Sequence, residues 1–137
     1  MLTLSKSAGA AILSAATLSL VFANGASGQD AEPADPALTE EEVAELTEEG
    51  AEVYDDNCVT CHGDEGDGGN GPVLAGNEVL ESQSTVLNQI LFGGAYMPEF
   101  SNLSDREIAA AATFIRMTWG NDFGPVTEAD VAARRGE

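Results

Sequence analysis

The sequence predicts a helical domain, and three observations predict it. Two apolar runs at helical spacing each open on the same start signal, a Ser or Thr followed three residues later by Glu: Thr39 with Glu42 and Ser104 with Glu107. No stretch rich in β-branched residues alternates as a strand would. Between the runs lie Gly-rich and Pro-containing segments that punctuate rather than extend regular structure.

The N-terminus precedes this domain and has its own logic. Lys6 stands in a short polar start, the apolar run from Ala8 to Ala23 follows, and small residues lead to Ala26-Ser27-Gly28. That order reads as an export signal, residues 1–28, with periplasmic delivery as its consequence. A retained membrane anchor is the rival, but a run of about 16 residues broken by Ser14, Thr17 and Ser19 is shorter than the roughly 20 a spanning helix needs. Residues 29–38, rich in Asp, Glu, Pro and Ala, have nothing to bury and read as a disordered acidic leader.

Charge narrows the partners. The chain carries 24 Asp and Glu against 5 Lys and Arg, and removing residues 1–28 would take away Lys6 and no acid. A surface this negative disfavours nucleic acid and anionic lipid. A basic partner or a saline habitat would suit it, and a membrane enters only if the N-terminal segment is retained.

The first helix is expected from Thr39, whose capping box with Glu42 is backed by a Leu38 to Val43 staple and by Glu40 and Glu41 at the positive end of the helix dipole. Val43, Leu46, Gly50 and Tyr54 share one face. Gly within a helix costs about 1 kcal/mol relative to Ala, so Gly50 is expected where a second helix approaches closely.

That helix runs into Cys58-Val59-Thr60-Cys61-His62. In a C-x-x-C-H pentad two thiols can add across the two vinyl groups of a haem while the next residue offers imidazole to the iron. A structural zinc site needs four ligands, and this chain has two Cys and one His, all in the pentad. A thiol redox motif would need a βαβ context that is missing. The expected cofactor is one covalent haem c held by Cys58 and Cys61, with His62 as proximal ligand.

Residues 63–72 read as a loop wrapping the haem edge, and their Asp and Asn spacing does not meet the calcium-loop pattern. Pro72 is expected to present its carbonyl to the free ring nitrogen of His62. A second short helix fits Ser84 to Phe92, capped by Ser84 and stopped by Gly93. The sixth ligand then falls to Met97, in a loop before Pro98, rather than to Met117, which lies inside a helical run where packing is the usual role. The last main helix opens at Ser104 with Leu103 and Ile108 as its staple, lines Ile108, Ala111, Ala112, Ile115 and Trp119 on one face, and ends at Gly120. Residues 122–137 form a tail with a short helix after Thr127.

From about Thr39 to Asn121 the chain resembles the single-domain class I cytochrome c family. The resemblance rests on Cys58, Cys61, His62, Pro72 and Met97, with Gly50 and Phe114 at the crossing of the terminal helices. Met97-Pro98-Glu99-Phe100 and Ile115-Arg116-Met117-Thr118-Trp119-Gly120-Asn121 are similar to bacterial cytochromes that act beside quinoprotein dehydrogenases and haem-copper oxidases. The resemblance implies the all-α cytochrome c fold, three main helices around one covalently attached haem in a domain at 39–121. It implies single-electron transfer in the periplasm from a dehydrogenase or other donor to a terminal oxidase or another cytochrome. The lysines that ring the haem edge of mitochondrial members are missing here. No nucleophile, base or oxyanion donor set is visible, so catalysis on a substrate is not expected. The alternative is a haem enzyme or gas-binding haem protein with an open sixth position.

Overall fold

The computed structural model describes residues 37–136; the assigned signal segment 1–28 and the leader 29–38 up to residue 36 lie outside the described residues. Helix α1 (Glu40–Asn57) starts where the capping box requires. The Thr39 hydroxyl accepts from the Glu42 N–H at 3.3 Å, and the Glu42 carboxylate accepts from the Thr39 N–H at 2.8 Å. Its buried face is Leu46, Gly50 and Tyr54, three of the four positions expected, with Val43 half-buried.

Helix α1 crosses α4 (Asp105–Met117), which the same device opens: Ser104 and Glu107 cap each other reciprocally. The crossing has almost no side-chain thickness. A Cβ added at Gly50 would lie 2.1 Å from the Ala110 carbonyl oxygen and 2.7 Å from Phe114 Cβ. Ile108, Ala109, Ala110 and Ala112 are fully buried, so the alanine run on α4 is the small surface that Gly50 meets. Beyond the crossing, Trp119 packs edge to face on Tyr54 and on Phe114, which are tilted at 50° to each other, with centroids 5.0–5.4 Å apart.

The second helical segment departs from expectation at its start. Helix α3 spans Gln83–Phe92, and its cap is Ser82, whose hydroxyl accepts from Thr85 N–H; Ser84 lies inside the first turn. A short 3-10 turn, Glu78–Glu81, immediately precedes Ser82 and sets where the chain bends into the helix; four residues give no period to read in a sequence. Helix α4 also stops earlier than Gly120. It closes at Met117, Thr118 is extended and Trp119 takes a positive φ of 53°.

The tail is packed, not loose. Helix α5 (Glu128–Arg135) opens on a third capping box, Thr127 with Asp130, and buries Val131 against α3 and α4. Arginines fasten it. Arg116, 4% exposed, donates to the carbonyls of Leu80 (2.5 Å), Glu81, Gly124 and Phe123, joining the 3-10 turn to the start of the tail. Arg135 donates to Asp105 at 2.6 Å and to the carbonyls of Ser101 and Leu103.

Replacing Gly50 by Val forces branches into backbone. Overpacking of this kind costs about 1–3 kcal/mol, so the expected outcome is a lower unfolding midpoint in urea with the pentad untouched. An unchanged midpoint would mean the helices separate freely at this point.

Candidate functional site

The pentad continues α1 directly. Cys58 ends that helix, its N–H bonded to the Tyr54 carbonyl, and Val59–His62 form the single turn α2. That turn carries Cys61 and buried His62 to the wall of a cavity of about 760 Å³. The volume falls in the roughly 300–1,000 Å³ range typical of cofactor sites.

His62 is oriented from behind. Its Nδ1 lies 2.9 Å from the Pro72 carbonyl oxygen. A carbonyl can only accept, so the neutral imidazole carries its proton on Nδ1 and keeps its lone pair on Nε2. The loop that brings Pro72 there is built on close backbone approach. Gly71 N–H donates to the Cys61 carbonyl at 2.8 Å, Gly68 N–H to the His62 carbonyl at 2.7 Å, and a Cβ at Gly71 would sit 2.8 Å from the imidazole. Glycine at 71 was not singled out by the sequence reading; its signal was only the general Gly content of the loop.

Both cysteines are free thiols at the cavity wall. Burial, and then the neighbouring Cys61, push the Cys58 thiol up to about 11. A redox-active C-x-x-C depends on a lowered pKa that yields thiolate near neutral pH, and Cys58 is shifted the other way.

Met97 lines the same cavity and packs against the core beside Phe100 and Leu103. Its loop is pinned by hydrogen bonds from Gly94 N–H to the Met97 carbonyl (2.9 Å) and from Phe100 N–H to the Ile90 carbonyl (2.9 Å). Met117 is half-buried and does not line the cavity. The structure therefore brings together all five sequence-predicted residues, Cys58, Cys61, His62, Pro72 and Met97, on one cavity.

The rest of the lining is apolar, with neutral amides and a hydroxyl such as Asn70, Gln89 and Thr85. Among the described residues that line it there is no Asp, Glu, Lys or Arg, in a chain with 24 acids. The donor set fits a haem. It offers two thiols, one imidazole with a committed tautomer and one thioether, around an apolar space whose walls tolerate no added side chain at Gly71.

The family model for cytochrome c oxidase, cbb3-type, subunit III matches residues 45–115, from within α1 to within α4. The cytochrome c subunit of the quinone alcohol dehydrogenase of Gluconobacter oxydans is 39% identical over 103 residues, covering 63% of this chain and 22% of that protein. The corresponding subunit of Gluconacetobacter polyoxogenes is 38% identical over the same shares. The chain spans about a fifth of the length of these curated relatives. An all-helical described fold, a cavity built on C-x-x-C-H and a family match over half the chain agree: the chain belongs to the cbb3-type cytochrome c oxidase subunit III family and is a class I c-type cytochrome, an electron-transfer protein.

Proposed function

We propose that this protein is a periplasmic one-electron carrier in which Cys58 and Cys61 would hold a single haem c covalently and His62 and Met97 would ligate its iron. The observation that carries the reading is the committed tautomer of His62: Nδ1–H is engaged by Pro72, leaving the Nε2 lone pair to a metal in a cavity that Met97 also lines. When bound, the haem supplies the ferric–ferrous couple. The protein's own residues do the rest. Cys58 and Cys61 tether it, the Pro72 carbonyl raises the basicity of the imidazole, and the Met97 thioether favours the ferrous state. The apolar lining excludes water and keeps fixed charge away from the iron.

Partner choice follows from the names of the relatives and from charge. A quinone-dependent dehydrogenase is the proposed donor and a terminal oxidase or a further cytochrome the acceptor, in keeping with the relatives and the family matched. The cavity mouth carries exposed Val79 and Tyr96 and no lining charge, while Glu52, Asp56, Glu78 and Glu99 adjoin lining residues in sequence. Long-range attraction would select a basic partner, and apolar contact would seat it.

Three measurements test this reading. With Cys58 and Cys61 both changed to Ala, acidified organic solvent should extract the haem; haem that stays on the polypeptide defeats the attachment. Met97→Ala should lower the reduction potential and admit carbon monoxide. Met117→Ala should leave the spectrum unchanged and cost less than about 2 kcal/mol, the lower bound for a fully buried Met. The opposite pattern would transfer the ligand role to Met117. Oxidation by a basic acceptor, followed by stopped flow, should slow as salt shortens the Debye length from about 30 Å at 0.01 M to about 10 Å at 0.1 M. A flat profile would mean that the charge plays no part in recognition.

A further inference from the structure

Behind the His62 loop stands a segment with no part in the proposed ligand set. Trp119 is the one non-glycine residue with positive φ among the described residues, at 53°. A bulky side chain in that region is an outlier that its surroundings must hold in place. Its ring is seated on the backbone of Gly66: a Cβ there would lie 2.6 Å from Trp119 Cε3. The Gly66 carbonyl in turn accepts from Leu74 N–H at 2.7 Å and from Ala75 N–H at 3.0 Å.

Two residues on, Asn121 grips the same strand of loop from the other side of the peptide. Its side chain is 4% exposed, and Nδ2 donates to the Leu74 carbonyl at 3.0 Å and to the Ile115 carbonyl at 2.7 Å. Both partners are acceptors, which assigns the nitrogen to that side of the amide. The Oδ1 atom is buried with no partner among the described residues. The amide therefore stands there at a desolvation cost and contributes through its two N–H donors. Leu74 is thus fixed at both its N–H and its C=O, two residues after the carbonyl that orients His62.

We propose that Trp119 and Asn121 are positioning residues for the proximal imidazole: together they register residues 72–75 against α4 so that the Pro72 carbonyl stays on His62 Nδ1. The inference rests on the reading of His62 as the iron ligand. It goes beyond packing because it fixes the sign of an electronic effect. A hydrogen bond from Nδ1–H makes the imidazole a stronger donor and favours ferric iron. Losing the register weakens that bond and favours ferrous iron, so the potential rises. Loosening the Met97 side would lower it.

The test is potentiometric titration of the holoprotein as wild type, Asn121→Ala and Val131→Ala. The last removes buried packing where α5 meets α3 and α4. Asn121→Ala should raise the ferrous-to-ferric ratio at a fixed poise roughly tenfold, about 59 mV for one electron. Val131→Ala should lower the thermal midpoint and leave the ratio alone. A potential for Asn121→Ala that is unchanged, or shifted downward, overturns the proposal. Should Asn121→Ala not accumulate, Trp119→Leu is read by the same criterion. His62→Ala is recorded alongside: if it keeps the wild-type low-spin spectrum, the ligand reading itself fails, whatever Asn121 does.

Discussion

The crossing of α1 over α4 rests on the contact between Gly50 and the backbone of Ala110. Backbone touches backbone there, so the angle and depth of the α1–α4 crossing leave no slack for a side chain to absorb. Tyr54 is one turn further along α1, and its position against Phe114 and Trp119 is set by that crossing. Its hydroxyl donates to the Gly63 carbonyl at 2.7 Å, fixing the exit of the pentad. Burial pushes the Tyr54 phenol up to about 12, so it stays a donor across the physiological range. The same helix that touches Ala110 thereby aims Cys58, Cys61 and His62.

Charge is distributed with a consistent sense. None of the described acidic residues is buried, nine of them lie on α1 alone, and the lining of the cavity has none. Arg106, Arg116 and Arg135 hold segments together: Arg116 is buried, Arg135 is partly buried and Arg106 lies in an ion pair at the surface. Arg106 bridges Glu49 of α1 and Glu128 of α5. Arg116 lies buried among carbonyls, and burial pulls its pKa down without approaching neutrality for a guanidinium. Arg135 holds the carbonyls of Ser101 and Leu103, the segment leading out of the Met97 loop. Cationic side chains spent in this way leave an exterior field that is almost wholly negative.

Much of this was legible in the sequence because the signals were local and redundant. Capping boxes at Thr39 and Ser104 each bring two reciprocal hydrogen bonds within four residues, and both form as read. Gly50 on an apolar face and the alanine run on α4 announced each other across 60 residues because close approach demands small residues on both sides. The pentad, Pro72 and Met97 were found from chemistry that few other arrangements satisfy, and they converge on one cavity. What was missed depends on tertiary context. Ser82 rather than Ser84 caps α3 because a 3-10 turn with no readable period delivers the chain there. The helical face drawn through Trp119 failed because Gly66 and the neighbouring rings hold that residue outside the helix, at a φ no propensity would select. Asn121 and Arg116 were visible as letters, but their acceptors are backbone carbonyls, which leave no trace in side-chain pattern.

The size of the cavity carries the last step. Loss of buried contacts costs about 24 cal/mol per Å³ of space left in a core. Applied to even a quarter of the 760 Å³, that is about 5 kcal/mol. The whole stability of a domain is about 5–15 kcal/mol. Leu74, Leu80, Val86, Ile90 and Ile115 belong to the helical core and also face this space, so filling it would add to the same core that the helices build. A haem tethered there, as proposed, would extend that core and stabilise the folded state. The residues that grip the occupant are then fold residues as well as redox residues. Arg116 and Arg135 tie the cavity walls to the rest of the fold: Arg116 holds the carbonyl of Leu80 in the 3-10 turn and Arg135 that of Leu103, and both of those residues line the cavity.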